Sequence, residues 1–162
     1  MFARILLPTD FSECSAAAAG AARLLAERFG GRILVLHVLD EAVAADPMFR
    51  GELPLETVRI RMETFAHESM DAFLAGHFAG FENFDTMFAM GIPHREIVRN
   101  AREASSDLIV IGTHGRTGVE HVLFGSTAEK VVRMAPCPVL TVRQAGRPFV
   151  RPDHPSLGGI DP

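Results

Sequence analysis

The chain has 162 residues, of which 48% are hydrophobic, and its 16 basic and 20 acidic side chains give a formal net charge of −4. This length predicts a single domain with a core of its own, and the acidic balance disfavours nonspecific nucleic-acid binding as the main activity. No apolar run approaches the roughly 18 residues of a membrane span, and no signal-peptide pattern opens the sequence, so we expect a cytoplasmic protein without a membrane partner. Cys14 and Cys137 lie in different predicted elements, which indicates reduced thiols.

Strands and helices alternate along the first part of the chain. The short apolar run at residues 4–8 predicts a buried strand that ends at a proline. A helix rich in alanine and leucine is predicted over residues 14–29, and Gly30-Gly31 ends it. Residues 33–38 are apolar almost throughout, as is typical of a strand covered on both faces. Residues 39–53 show no periodicity and predict a loop.

The second helix is predicted from Pro54, which suits a first helical turn, to about residue 77. Its apolar stripe, with a period of about 3.6 residues, consists of Val58, Met62, Phe65, Phe73 and Leu74. A third strand is predicted over residues 84–90, and Gly91 and Pro93 mark the turn after it. The inner face of the third helix is formed by Ile97, Val98, Ala101 and Ala104.

The last predicted elements are a strand at residues 108–111, a helix at 127–134 and a strand at 139–142. Five strands that alternate with four helices predict an α/β fold with a single open sheet, parallel or mostly parallel, and helices on both faces. Beyond them, proline, glycine and arginine accumulate without an apolar period. We therefore expect one domain over residues 1–143 and a flexible tail over residues 144–162.

A glycine-spaced loop links the fourth strand to the fourth helix. It reads Gly112-Thr113-His114-Gly115, then nine residues, then Gly125-Ser126-Thr127. A strand, loop and helix of this kind let the backbone approach a phosphate, and the helix N-terminus supplies free N–H groups. Open α/β sheets bind ligands at the carboxyl ends of their strands, where the strand order reverses. If the first and fourth strands are neighbours there, Pro8-Thr9-Asp10 converges with this loop on a nucleotide site.

Each candidate side chain has two interpretations. Asp10 suits the hydroxyls of a ribose, and aspartate is also a favoured N-cap for the first helix. Ser126 with Glu129 spells a capping box, which fits the sequence as well as a phosphate contact does. His114 and Arg116 are natural partners of a phosphate, although Arg116 is as readily a surface residue.

The sequence predicts neither a metal site nor a catalytic residue. His114 and His121 are seven residues apart, and no cysteine or carboxylate stands at ligand spacing from them. His37, near the end of the second strand, is typical of a hydrogen-bonded structural histidine. The loop matches neither the phosphate-binding loop with its Gly-Lys-[Ser/Thr] end nor the dinucleotide turn G-x-G-x-x-G. The sequence therefore favours binding over dedicated turnover.

Over roughly residues 1–143 the chain resembles the universal stress proteins. The matching segments are the opening Ile-Leu-Leu-Pro-Thr-Asp-Phe-Ser, the strand Val-Leu-His-Val, Gly91-Ile92-Pro93, residues 107–116, Gly125-Ser126-Thr127 and Cys137-Pro138-Val139-Leu140. The spacing G-x2-G-x9-G-[ST] is the ATP-binding signature of that family, and this chain matches it in full.

The resemblance implies a Rossmann-like sheet of order 3-2-1-4-5 and a homodimer joined through the fifth strand, which consists of Val139, Leu140, Thr141 and Val142. It implies ATP as the ligand, with or without Mg²⁺. Asp10 would face the ribose, the backbone of Val38 the adenine, and residues 112–127 the phosphates. The implied function is a nucleotide-responsive regulatory module in stress tolerance. Two alternatives stay open: a slow ATPase, and a dimeric scaffold that needs no nucleotide.

Overall fold

Five strands form one open sheet in this computed structural model, which describes residues 2–113 and 125–143, with only the backbone of Phe49 and Arg50. The strands are β1 (Arg4–Pro8), β2 (Arg32–Asp40), β3 (Phe84–Gly91), β4 (Leu108–Gly112) and β5 (Val139–Val142). Their order is β3-β2-β1-β4-β5, and every neighbouring pair runs parallel. The expected strand order is confirmed.

The described residues form six helices, which cover both faces of the sheet. They are α1 (Glu13–Phe29), α2 (Glu41–Ala45), α3 (Pro47–Arg50), α4 (Leu55–His77), α5 (Pro93–Glu103) and α6 (Ser126–Met134). On one face, Ile5 and Leu7 of β1 share a buried cluster with Phe73 of α4. On the other face, Leu6 shares a cluster with Val131 of α6. Because successive strand residues point to opposite faces, β1 contributes to two apolar layers, and helices on both faces are confirmed.

Helix α1 begins one residue earlier than the sequence predicts, and it is capped at both ends. Ser12 is the N-cap, and its hydroxyl oxygen accepts a hydrogen bond from the backbone N–H of Ser15 at 3.3 Å. Gly30 ends the helix in the left-handed conformation, with φ of 67°, which glycine adopts without steric cost. The alanines that let this helix approach the sheet closely, each at most 1% exposed, are Ala18, Ala19, Ala22 and Ala26.

The prediction of a loop over residues 39–53 is wrong, because β2 continues to Asp40 and two short helices follow it. Each short helix is capped by an aspartate. The Oδ1 atoms of Asp40 and Asp46 each accept a hydrogen bond from the backbone N–H two residues later, at 2.9 and 2.8 Å. Pro47 occupies the first turn of α3, where its missing N–H costs no hydrogen bond. These helices depend on local caps and have no apolar periodicity to reveal them.

Helix α4 buries a narrower stripe than expected. Its buried residues are Val58, Ala66, Met70 and Phe73. Phe65, predicted to face the core, is 52% exposed, while Met62 and Leu74 are half-buried. Pro54 precedes the helix as its N-cap, and Ala104, expected on the inner face of α5, is the C-cap of that helix. Neither α4 nor any other helix in the described segments has the length and apolarity to cross a membrane.

Candidate nucleotide-binding site

The loops that follow β1 and β4 leave the sheet side by side. β1 pairs with β2 on one side and with β4 on the other, so the strand order reverses at this point, where open α/β sheets bind ligands. A cavity of about 200 Å³ lies there. It is lined by Pro8, Thr9, Asp10, Ser15, Leu36, Val38, Pro93, Ile97, Ile111, Gly112, Thr113, Gly125, Ser126, Thr127 and Ala128. The described ends of the two loops therefore line one cavity, and its use as a nucleotide site stays a prediction.

Every predicted site residue that the structure describes lines this cavity. These residues are Pro8, Thr9, Asp10, Val38, Gly112, Gly125, Ser126 and Thr127. The remaining candidates, His114, Gly115 and Arg116, lie outside the described residues. The fold thus brings together the end of β1, the second half of β2, the end of β4 and the first turn of α6.

Asp10 is not the N-cap of α1, so that interpretation of its side chain is wrong. The cap is Ser12, and Asp10 instead closes a turn in which its Oδ1 accepts a hydrogen bond from the backbone N–H of Ser12 at 3.1 Å. Aspartate and serine are both good N-caps, and they stand two residues apart, so the sequence cannot choose between them. Asp10 lines the cavity while it holds this turn.

One of the two interpretations of Ser126, a capping box with Glu129, is wrong, because that capping box does not form. Gly125 is the N-cap of α6 and offers no side-chain hydrogen bond, and the helix begins at Ser126 itself. The helix therefore starts one residue before the predicted position, and the serine hydroxyl is no longer at the capping position. The first turn of α6 faces the cavity through Ser126, Thr127 and Ala128. A helix N-terminus without a side-chain cap is suited to bind an anion.

Gly112 is required for packing as well as for its place in the cavity wall. A Cβ atom at this position would lie 2.8 Å from the carbonyl carbon of Cys14 and 2.9 Å from its carbonyl oxygen. Only a residue without a side chain lets the end of β4 pass so close to the first turn of α1. The sequence offers two interpretations of this glycine, a phosphate approach and a simple turn, and the contact with Cys14 adds a packing reason for it.

Several lining residues were not predicted from the sequence to belong to the site. They are Ser15, Leu36, Pro93, Ile97, Ile111, Thr113 and Ala128. Leu36 lies two residues before Val38 on the same face of β2, so the strand period of two would have found it. Pro93 and Ile97 are four residues apart on α5, so the helical period would have paired them once either was assigned. The missing information was which helix covers this end of the sheet.

Basic side chains lie near the starts of α5 and α6. His94 follows the cavity-lining Pro93, and partial burial is the largest cause that lowers the pKa of its imidazole. The positive charges of Lys130 on α6 and of Arg95 lower this pKa further. Burial and nearby like charges both disfavour the protonated form of an imidazole, so the pKa of His94 is lowered by two causes that act in the same direction. His94 and these two cations lie close to the elements that line the cavity but are not themselves among its lining residues.

The sequence profile of the universal stress protein family matches residues 1–143. The chain belongs to this family. Universal stress protein MJ0531 of Methanocaldococcus jannaschii is 34% identical over 148 residues, which span 89% of this chain and 84% of that protein. The solved structure of MJ0577, from the same organism, has a TM-score of 0.79 at 28% identity and covers 90% of this chain and 99% of its own. The structure of universal stress protein UspA from Lactobacillus plantarum has a TM-score of 0.72 at 30% identity, and the match covers 88% of this chain and 98% of that one.

Two further universal stress proteins with the same fold have been solved with an adenine nucleotide. One is a complex with cAMP, with a TM-score of 0.60, 22% identity, and coverages of 89% and 98%. The other, from Archaeoglobus fulgidus, is a complex with dAMP, with a TM-score of 0.63, 20% identity, and coverages of 88% and 99%. Because both identities are below 25%, these two comparisons show only that the chain shares their fold.

Proposed function

We propose that this universal stress protein binds ATP in the cavity between the β1 and β4 loops. The observation that carries the proposal is that Asp10 and the uncapped first turn of α6 line the same cavity. A carboxylate is a good acceptor for the two hydroxyls of a ribose. The N–H groups of Ser126 and Thr127, at a helix N-terminus, suit a phosphate. A nucleotide is a ligand whose ribose and phosphates match the Asp10 carboxylate and the N-terminus of α6 respectively.

The walls of the cavity fit a purine. Leu36, Val38, Ile97 and Ile111 supply apolar surface, and small-molecule sites are typically apolar with a few polar groups that set orientation. In our proposal the base lies beside Val38, whose backbone recognises the edge of the adenine. The cAMP and dAMP complexes of family members with the same fold support an adenine nucleotide as the ligand.

The phosphates would extend from Asp10 toward α6. Gly125, Ser126 and Thr127 would bind them, together with His114, Gly115 and Arg116 of the preceding segment. Asp10 is the one carboxylate among the described residues that line the cavity. Any Mg²⁺ would therefore be held largely by the phosphate oxygens, as is usual for this ion.

We propose regulation rather than turnover as the role of the bound nucleotide. Among the described lining residues, Asp10 is the single titratable side chain, and in our proposal it is occupied by the ribose. The described part of the cavity thus supplies no separate base to activate a water molecule. Nucleotide binding would act through the segment between Gly115 and Phe124 and so change a surface available to partners in stress tolerance.

We also propose that the protein is a homodimer through β5. Within the described residues, β5 pairs with β4 alone, so its other edge carries unpaired backbone groups. Such an edge recruits another strand, and a second copy related by a twofold axis would pair both edges at once. The segment available for this pairing is Val139–Val142.

Analysis of the purified protein tests the proposed ligand. We expect ATP to co-purify or to bind in calorimetry, and to bind far better than NAD⁺, since the loop lacks a dinucleotide turn. Single-turnover assays with bound ATP would then show little or no hydrolysis. No measurable affinity for any adenine nucleotide would contradict the proposal and favour a dimeric scaffold. Efficient hydrolysis would instead favour an ATPase.

A further inference from the structure

The loop that carries Asp10 is held from the opposite side of the sheet by His37. On β2, Leu36 and Val38 line the cavity, so the side chain between them points to the other face. There the Nδ1 atom of His37 lies 2.8 Å from the carbonyl oxygen of Thr9. A carbonyl oxygen can only accept a hydrogen bond, so Nδ1 carries the proton and donates it.

The same imidazole packs on Phe11, on the other side of Asp10 in the sequence. The two rings are stacked, with centroids 4.4 Å apart and planes inclined by 28°. Phe11 has a φ of 64°, a left-handed conformation that is strained for a residue with a bulky side chain. Its backbone N–H donates to the Oγ1 atom of Thr9 at 3.0 Å, and its ring also contacts Phe73 of α4 edge-on at 5.9 Å. These contacts hold the strained conformation in place.

Thr9 is anchored at several atoms. Its N–H donates to the carbonyl oxygen of Leu36 at 2.8 Å, and its hydroxyl donates to the Oγ atom of Ser15 at 3.1 Å. Thr9 is 6% exposed and Ser15 is 3% exposed, so water cannot readily replace these bonds. The carbonyl of Thr9 begins the peptide bond to Asp10, and the bond from His37 therefore fixes the orientation of that peptide plane.

We propose that His37 is a positioning residue for the nucleotide, a role that rests on the proposed ATP site. One imidazole holds the residue before Asp10 by a hydrogen bond and the residue after it by ring stacking. The backbone on both sides of Asp10 is then fixed before the ligand arrives, and its carboxylate is presented to the ribose without a cost in loop ordering. Preorganisation of this kind increases affinity because less conformational freedom is lost on binding.

Two substitutions separate the contributions of the hydrogen bond and the ring. His37→Asn keeps an N–H donor close to the position of Nδ1 and loses the stacked ring, whereas His37→Phe keeps a ring and loses the donor. His67→Ala is the matched control. His67 lies on α4, and its ring centroid is 4.2 Å from that of Phe88 on β3. The Phe88 ring in turn makes a T-shaped contact with His37, with centroids 6.3 Å apart. The His67→Ala substitution perturbs the same aromatic cluster without removing a bond to the loop.

We expect His37→Phe to weaken ATP binding by about five- to tenfold, as for loss of one preorganising hydrogen bond. His37→Asn should weaken it less, and His67→Ala should leave it within about twofold, which is typical of a surface change. All affinities are measured by calorimetry on the intact protein. The melting temperature of each ligand-free variant is recorded beside its affinity, because a purely structural role would change the melting temperature without this order of affinities.

A double-mutant cycle with Asp10→Ala is the decisive measurement. If His37 acts through Asp10, then His37→Phe costs little further affinity once the carboxylate is absent, and the two effects are not additive. Additive losses, or equal ATP affinity in wild type and His37→Phe, would overturn the inference while leaving the ATP site intact. Failure of the wild-type protein to bind ATP would overturn the proposed function and the inference together.

Discussion

A Cβ atom at Gly112 would lie 2.8 Å from the carbonyl carbon of Cys14, closer than side-chain carbons approach a backbone. Gly112→Ala therefore forces the end of β4 away from the first turn of α1. We expect a loss of about 1–3 kcal/mol in the free energy of unfolding, as for other overpacked sites. Urea unfolding measures it, and an unchanged midpoint would show that the two elements separate easily. Gly20→Ala on α1 is the control, because a Cβ there meets nothing within 4 Å.

Substitution of Gly125 is expected to change ATP affinity rather than stability. It has φ of −63° and ψ of 151°, a conformation open to any residue, so Gly125→Val should fold with a loss of at most about 1 kcal/mol from the weaker cap. The side chain would nevertheless stand where a phosphate approaches the start of α6. We expect ATP affinity to fall by at least about tenfold, or roughly 1.4 kcal/mol. Unchanged affinity in calorimetry would show that this glycine does not border the phosphates.

Asp10→Ala should affect ligand binding more than stability. The substitution removes the bond to the N–H of Ser12, which contributes about 1 kcal/mol to stability, together with the proposed ribose contact. Asp10→Asn keeps an oxygen for the turn and removes the charge. Ser12→Ala removes the true cap of α1 and should cost about 1 kcal/mol in stability with a smaller effect on ATP affinity. Equal melting shifts for Asp10→Ala with and without ATP would argue against a ribose contact.

The hydrogen bonds of β5 show which positions face a second copy of the chain. The carbonyl oxygens of Pro138 and Val142 accept from the N–H groups of Ile109 and Thr113, at 3.0 and 2.9 Å. Because alternate residues of a strand direct their backbone groups to alternate sides, Thr141 directs its N–H away from β4. Proline at 141 thus removes an outward donor, whereas proline at 142 removes a donor to β4.

We therefore expect Thr141→Pro to yield a folded monomer and Val142→Pro to lower the stability of the whole domain. Light scattering with circular dichroism distinguishes the two outcomes. If the wild-type protein is already a dilute monomer that binds ATP, or if Thr141→Pro stays dimeric, then β5 is not the dimer interface.

The lowered pKa of His94 predicts a dependence of stability on pH. Because folding disfavours the protonated imidazole, the unfolded chain binds more protons as the pH falls below the ordinary histidine pKa of about 6.5. The free energy of unfolding should therefore be fully retained above that pH and decrease below it. When the pH is lowered from about 7.5 to 5.5, we expect the melting temperature of the His94→Gln variant to fall by less than that of wild type. Parallel curves for the two proteins would exclude this histidine as a contributor.

Most strands were predictable because they are largely apolar runs, and β5 was predicted with its observed limits, Val139–Val142. The exception is β3, which carries Asp85 and Thr86 and was still predicted to within one residue of its observed limits, Phe84–Gly91. The short helices α2 and α3 were not, because they depend on hydrogen bonds from Asp40 and Asp46 and not on periodicity. Phe65 was predicted to face the core but is exposed, because the neighbouring Ala66 occupies the buried position on α4. Side-chain size cannot show which of two adjacent residues faces the sheet.

The sequence places in the candidate site eight of the described residues that line the cavity, but it does not show which residues cap the helices beside them. The described ends of the β1 and β4 loops line one cavity because β1 and β4 are neighbours. The roles of Asp10 and Ser126 were ambiguous because a good capping residue adjoins each helix start, and one residue of shift decides which is used. His37 was expected to be a hydrogen-bonded histidine, and its bond to Thr9 confirms this. Its stacking on Phe11 depends on a left-handed backbone that the sequence does not reveal.

The central position of β1 has a consequence for synthesis on the ribosome. Ile5, Leu6 and Leu7 are made long before β4 and are at most 1% exposed in the finished sheet, yet β4, which pairs with one side of β1, begins only at Leu108. A nascent chain that has folded β1, β2 and β3 thus carries an unpaired apolar strand edge until its second half emerges, and such an edge favours self-association. Chains truncated before residue 108 should aggregate, and the cavity beside Asp10 is closed only once the first turn of α6 has been made.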